Sequence, residues 1–319
     1  MSNSKAALSR SSASNQHGIA VVLVTYNRPQ LLLEALYALK HQTSAAALII
    51  VVDNASDLET QSLLSSTSGI DVVRSHVNLG GAGGFALGLQ RALELGAQWM
   101  WLMDDDAIPD TTALETLEMR IDSVPGRIGA LCSTVMEFGA VATMHRRYFD
   151  RNLGLERAVD CSAYRFGCDP CRVDTASFVG FMVSAVAVRS VGLPDAAFFL
   201  SYDDTEYSLR LGRSGFDLWL IPQSVIVHKR SRLNRLRSTE FGAKHYFNIR
   251  NRIVVKRLYC RVGYVGALNG ALFGLALWLR SPRRFSVRAW TTLVRAITDG
   301  LSGRLGPFPD ALKSADPYA

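Results

Sequence analysis

Hydrophobic runs and polar punctuation divide the first hundred residues into short strands alternating with helices. Residues 19–25 form a continuous apolar run rich in β-branched side chains, bounded by Tyr26-Asn27-Arg28-Pro29. This is the pattern of a strand buried on both faces. Pro29 suits the first turn of a helix, and leucines at helical spacing carry that helix to about Lys40. A second apolar run, 48–52, ends at Asp53-Asn54-Ala55-Ser56 and precedes a polar helix, and Val72 and Val73 begin a weaker third strand. Asn78-Leu79-Gly80-Gly81-Ala82-Gly83-Gly84-Phe85 reads as a glycine-rich turn into a helix over 86–95. The run 98–103 is a fourth strand, and it carries Asp104-Asp105-Asp106 out of its C-terminal end. Such alternation predicts an α/β doubly wound, mostly parallel sheet with helices on both faces. Its ligands collect beyond the carboxyl ends of the strands. Asn27, Asp53 and Asp104 to Asp106 all fall on that rim.

Further along, 132–174 is irregular, with some strand, and 178–188 is an apolar run interrupted by Gly180. Phe198-Phe199-Leu200-Ser201-Tyr202 leads into Asp203-Asp204-Thr205-Glu206, whose acidic residues open a helix that continues to Arg213 and stops at Gly215. Residues 219–227 form another short strand ending at His228. The chain then changes character: 229–237 holds five basic residues, 241–257 is aromatic and basic, and 262–279 is apolar with Asn269 as its strongly polar member. That last run is near the lower length for a membrane span. Its glycines and basic flanks fit an interfacial or re-entrant helix, a buried core helix or a true span. The tail over 280–304 stays basic and amphipathic. The expected organisation is a leader over 1–17, a catalytic-sized α/β domain over 18–230 and a helical, basic and apolar region over 231–319.

Composition narrows the partners. The chain has 319 residues, 48% of them hydrophobic, a net charge of +7 and a pI near 9.3. The positive balance favours an anionic partner such as a nucleotide, a diphosphate or a lipid headgroup. The first 17 residues, rich in Ser, Ala and Asn, carry no signal-like apolar core and read as a disordered leader on a cytosolic protein. Five cysteines are an odd number, and free thiols are expected in a reducing compartment. Cys168-Asp-Pro-Cys171, with Cys161 nearby, lacks the second pair that a structural zinc site needs.

Chemistry concentrates in the aspartate triplet. Adjacent carboxylates repel one another, so placing three where a buried strand emerges calls for a cation or a basic partner. Four motifs in order, Val24-Thr25-Tyr26-Asn27-Arg28-Pro29, Val51-Val52-Asp53-Asn54-Ala55-Ser56, Trp101-Leu102-Met103-Asp104-Asp105-Asp106 and Asp203-Asp204-Thr205-Glu206, resemble those of the inverting nucleotide-sugar glycosyltransferases of family 2, with the GT-A fold. The segment 78–85 together with the triplet is most similar to bacterial galactofuranosyltransferases, with rhamnosyltransferases close behind. The resemblance covers about 19–228.

That resemblance implies roles. Asp104 and Asp106, with His228 as a third ligand, would hold Mn2+ or Mg2+ on the donor diphosphate, while Asp105 would contact the sugar or ribose. Asp53 would accept the uracil N–H, with a helix cap as the alternative, and Thr25, Asn27 and Arg28 would hold the base and ribose. Gly80, Gly81 and Gly83 would let backbone N–H groups approach the diphosphate and Asn78 would add a donor, with a close helix-to-strand turn as the alternative. Asp204 would be the base that deprotonates the acceptor hydroxyl, and Asp203, Glu206 and Trp219 would meet the acceptor, with helix capping and core packing as alternatives. Arg230, Arg232, Arg235 and Arg237 would face an acceptor diphosphate or anionic lipid. The implied reaction is transfer of galactofuranose from UDP-galactofuranose, or of rhamnose from dTDP-rhamnose, to a growing glycan or polyprenyl-diphosphate-linked acceptor at the inner membrane surface. A non-catalytic nucleotide binder or a nucleic-acid binder is disfavoured, because neither needs a second acidic cluster and His228.

Overall fold

The protein, analysed as a computed structural model, is described over residues 17–165, 167–230, 240–282 and 284–309. The N-terminal half alternates as β1 (Ile19–Thr25), α1 (Pro29–Lys40), β2 (Leu48–Asn54), α2 (Leu58–Ser66), β3 (Asp71–Ser75), α3 (Gly80–Glu94) and β4 (Trp99–Asp104). There follow β5 (Ala107–Pro109), α4 (Ala113–Glu118), β6 (Ile128–Glu137), β7 (Ala140–Val141), β8 (Arg146–Asp150), β9 (Leu155–Ala158), β10 (Cys171–Val173), β11 (Thr175–Ala176), β12 (Phe181–Ser184), α5 (Ala185–Val191), α6 (Asp203–Arg213) and β13 (Asp217–His228). Three helices end the described chain: α7 (Ala243–Tyr259), α8 (Gly263–Leu279) and α9 (Val287–Ser302). The leader expected over 1–17, except His17, and Arg232, Arg235 and Arg237 lie outside the described residues.

The main sheet is mixed, in the order β10, β13, β6, β12, β4, β1, β2, β3. Its β3-β2-β1-β4 portion is parallel, as the strand and helix alternation requires, and β12 enters antiparallel between β4 and β6. Strand order reverses between β1 and β4, so a crevice opens at their carboxyl ends. There Val24 pairs with Asp104 and Thr25 with Asp53, which sets the rim residues side by side. Alternation along β1 builds both layers of the core. Ala20, Val22 and Val24 pack under α3 with Phe85 and Leu89, and Val21 and Leu23 pack with Leu32 and Leu36 of α1.

One expectation is corrected, and two unassigned stretches resolve into elements. Residues 80–85 are not a turn, because α3 already begins at Gly80. The glycines let it lie close on the sheet: a Cβ on Gly84 would sit 2.7 Å from Val24 Cγ1, and one on Gly88 2.3 Å from Val22 Cγ1. The run 178–188 divides into β12 and α5 at Ser184, whose side chain caps the helix by accepting from Ala187 N at 3.2 Å. Within the irregular middle, 128–137 is a ten-residue strand inside the sheet. Its polar Ser133 and Thr134 are buried against the Ser224 hydroxyl and the Pro222 carbonyl.

Replacing Gly88 by Ala is expected to destabilise the fold although alanine is the better helix former. The propensity gain is about 1 kcal/mol, whereas forcing a methyl into a filled core costs about 1–3 kcal/mol. The urea midpoint should fall, and a rise would show that α3 can lift off β1.

α7 packs against both α8 and α9. No described helix is long and apolar enough to cross a membrane.

Candidate active site

Arg28, Asp104, Asp106, Asp204 and His228 line one cavity of about 790 Å³. Part of the charge relief that the triplet needs comes from within the chain. Arg28 Nη1 donates to Asp105 Oδ1 and Asp106 Oδ2, both at 3.0 Å. Asp105 is 3% exposed, and its Oδ2 also accepts from the Thr25 hydroxyl at 2.9 Å and Tyr26 N at 3.4 Å. Its carboxylate therefore fastens the β1 loop to the triplet.

His228 closes the other side. Its Nδ1 shares a hydrogen with Glu137 Oε1 at 2.8 Å, and its Nε2 lies 3.2 Å from Asp106 Oδ1. Burial works against the imidazolium, but these two carboxylates outweigh it and raise the His228 pKa to about 10. Glu137 also meets His145 Nε2 at 3.1 Å, and the hydrogen bonds from His145 and His228 hold its carboxyl far below the usual range. Burial pushes His145 down to about 4, so it is neutral near pH 7. Asp104 is pushed up to about 7, first by burial and then by the charge of Asp106.

This donor set fits a divalent cation. Ligand atoms of Asp104, Asp106 and His228 all lie within 4.8 Å of one another. Asp106 Oδ1 is buried and accepts no aligned hydrogen bond, which leaves a lone pair facing the cluster. Two carboxylates and one imidazole suit Mn2+ better than Mg2+, which prefers all-oxygen coordination. Glu137 on Nδ1 would turn Nε2 toward the ion, the usual arrangement for a ligating histidine.

Asp204 stands at the start of α6, with Thr205 beside it on the cavity wall. Thr205 donates both its backbone N, at 2.5 Å, and its hydroxyl, at 3.0 Å, to Asp204 Oδ1. Arg147 Nη2 donates to that hydroxyl at 2.8 Å, and its guanidinium is ion-paired with Glu156. Burial raises the Asp204 pKa and Arg147 opposes the rise, while Asp203 is driven much further up by burial and by the charge of Asp204. Such a split leaves Asp204 the better base of the two.

The loop entering α6 is strained. Phe199, Ser201 and Tyr202 all have positive φ, and Leu200 N bonds back to Phe198 O at 2.8 Å. Residues of this kind need outside support. It comes from α7: Asn251 Nδ2 donates to the carbonyls of Phe198, Leu200 and Ser201 at 3.0, 3.0 and 2.7 Å, and Arg250 Nη2 to Phe198 O at 3.0 Å. Lys244 and Asn248 from the same helix line the cavity, and Asn248 Oδ1 is buried there without a hydrogen-bond partner. The boundary expected at 230 thus separates residues that build one site.

Other expected residues lie elsewhere. Asp53 is fully buried, with Oδ1 accepting from Ser56 N at 2.9 Å and Oδ2 from Arg74 Nε at 3.0 Å, so its carboxylate links the β2 loop to β3. Asn27, at positive φ, ties the β1 and β2 loops together through Ser56 and Asp57. Asn78 Oδ1 accepts from Gly80 N at 2.8 Å. Packing accounts for two of the glycines: a Cβ on Gly80 would meet Phe199 O at 2.0 Å and one on Gly83 would meet Leu79 Cβ at 2.6 Å, while Gly81 faces open space. Asp203 is buried and does not line the cavity. Glu206 pairs with Arg210 at 2.7 Å and accepts from Tyr259 OH at 2.7 Å, joining α6 to α7. Trp219 sits in the core well back along β13 from His228, under the Arg172 guanidinium, the core packing expected as the alternative to an acceptor contact. Spacing gave no signal for Glu137, His145, Arg147 or Asn248, which converge only in the fold.

Comparison with known proteins bears on this arrangement. Residues 20–185 match Glycosyl transferase family 2. The galactofuranosyltransferase GlfT1 of Mycolicibacterium smegmatis is 35% identical over 201 residues, covering 62% of this chain and 66% of that protein, so the match spans just under two thirds of the relative's length. The dTDP-rhamnosyl transferase RfbF of Shigella flexneri is 25% identical over 214 residues, 66% of this chain and 68% of that protein. Among solved structures, residues 1–349 of S. aureus TarS in complex with UDP-GlcNAc superpose with a TM-score of 0.58 at 14% identity, over 92% of this chain and 82% of that one. The mannosyltransferase PcManGT from Pyrobaculum calidifontis, in complex with GDP-Man and Mn2+, gives 0.55 at 14% identity, over 90% and 88%. The fold is GT-A, and with more than half of its length matching the family the chain belongs to the glycosyltransferases of family 2.

Proposed function

We propose that this glycosyltransferase moves galactofuranose from UDP-galactofuranose, with inversion and with Mn2+ or Mg2+, onto a lipid-linked or growing glycan acceptor at the cytosolic face of a membrane. The observation that carries the proposal is that Asp204 and the Asp104, Asp106 and His228 cluster line the same cavity. Asp104, Asp106 and His228 would hold the cation, which when bound neutralises charge on the departing diphosphate. Arg28 adds a fixed positive charge on that side.

The chain's own residues supply the proton transfer. The hydrogen bonds that fix the Asp204 side chain go to Oδ1, which leaves Oδ2 for an acceptor hydroxyl. As that oxygen forms its bond to the anomeric carbon, its proton passes to Asp204 and the anomeric carbon–oxygen bond to the diphosphate breaks, with the electron pair leaving on the diphosphate. A single displacement of this kind inverts the anomeric centre. Arg147 and Thr205 would orient the base, and Asn248 Oδ1 offers an acceptor for a substrate hydroxyl on the facing wall.

The similarity to GlfT1 favours galactofuranose, and the weaker one to RfbF makes dTDP-rhamnose the comparison to run. Donor turnover with Mn2+ present should be faster with UDP-galactofuranose than with dTDP-rhamnose by about tenfold or more. Turnover of dTDP-rhamnose alone would reassign the donor.

A further inference from the structure

The C-terminal helices present an apolar face that the catalytic cavity does not use. One side of α8 is packed into the protein through Gly266, Ala267, Gly270, Gly274 and Leu277. The opposite side exposes Tyr264, Leu268, Leu272, Leu275 and Leu279, residues spaced by three and four and therefore aligned in one stripe. No charged residue interrupts α8 between Gly263 and Leu279. α9 exposes Val287, Trp290, Val294 and Leu301. At the junction of the two helices Trp278 meets Phe285 and Trp290 edge to face, with ring centroids 6.2 and 5.6 Å apart, and Phe285 is 83% exposed. A soluble surface rarely gathers so many large apolar side chains without a partner.

Charge selects the partner. Residues 241–309 contain twelve lysines and arginines against a single acid, Asp299. That acid is taken by Arg295 at 2.7 Å and Arg304 at 3.5 Å. Arg280 is exposed beside Leu279, and the Arg284 guanidinium lies 4.7 Å from the Phe285 ring centroid. An apolar stripe, aromatic rings at its end and arginines around them match the layers of a bilayer interface: acyl chains, the headgroup boundary and anionic phosphate. A second copy of this chain would bring the same positive charge against itself.

We infer that the α8 and α9 face lies flat on an anionic lipid surface, with the leucine stripe in the acyl boundary and the flanking arginines on the phosphates. The inference gives a location to the membrane-linked acceptor proposed above and rests on that reading only for its purpose, since lipid binding is measured without donor or acceptor.

The full chain, incubated with phosphatidylglycerol or phosphatidylcholine vesicles and pelleted, should sediment with the anionic ones, and high salt should release much of it. The double variant Leu272→Glu with Leu279→Glu alters exposed positions only, so its melting curve should match that of the parent. It should lose about tenfold or more of the vesicle partitioning. Equal partitioning of parent and variant, or none by the parent, would overturn the inference. So would a concentration-dependent dimer, seen by light scattering, that the same double variant dissociates without vesicle binding by the parent.

Discussion

Asp204→Asn should lower the transfer rate by about two to four orders of magnitude while leaving nucleotide and Mn2+ binding intact. A positioned general base contributes about 10²–10⁴-fold, and the amide keeps the shape and the Thr205 contacts of the acid but cannot take a proton. The charged groups acting on Asp204 include Arg146 and Arg147 from β8, Glu156 from β9 and its neighbour Asp203. Burial raises its pKa and Arg147 acts against that rise, so the net shift is upward from the usual carboxylate value. The sign follows directly: activity requires the ionised form, is full above the raised pKa and falls away as pH drops through it. The acid limb of kcat/KM should therefore lie above the ordinary aspartate range of about 4. Transfer retained by Asp204→Asn would remove this residue from the mechanism.

Asp104→Asn is expected to weaken Mn2+ binding by about 100-fold and to lower transfer in proportion, whereas the metal-free fold should be no less stable. The two effects separate because Asp104 is crowded by Asp105 and Asp106, and neutralising one of three neighbouring carboxylates removes repulsion while taking away a charged ligand. Function and stability pull in opposite directions at such positions. Calorimetric Mn2+ titration and thermal melts in a chelator would read the two separately. Unchanged Mn2+ affinity would place the cation elsewhere, and a large drop in metal-free stability would make Asp104 a structural residue.

Much of the donor side of the fold can be read from sequence because it is local. α1 and β1 fall where Pro29 and the apolar run predict them, and Asp104 ends β4 as the emergence of the triplet implies. The pattern fails where long-range contacts decide. β6 looks irregular because Ser133 and Thr134 interrupt it, yet they are satisfied by partners some ninety residues away. Gly80 to Gly84 look like a turn because composition cannot reveal that a sheet lies against them. Glu206 sits in an acidic motif, but its side chain serves Arg210 and Tyr259. Asp105 follows the same rule, since only the fold shows that Thr25, Tyr26 and Arg28 already surround it.

The hold of Asn251 on the three carbonyls ahead of Asp203 changes what counts as the heritable unit of catalysis. The matched family region closes at 185, so Asp204 and the amide that steadies its loop both fall outside it. Two homologues could therefore share every donor motif and still differ in the aim of the carboxylate at this position, through changes in a helix that a motif comparison never inspects. Transplanting acceptor preference between relatives would accordingly mean moving the loop and α7 together, as one exchangeable cassette.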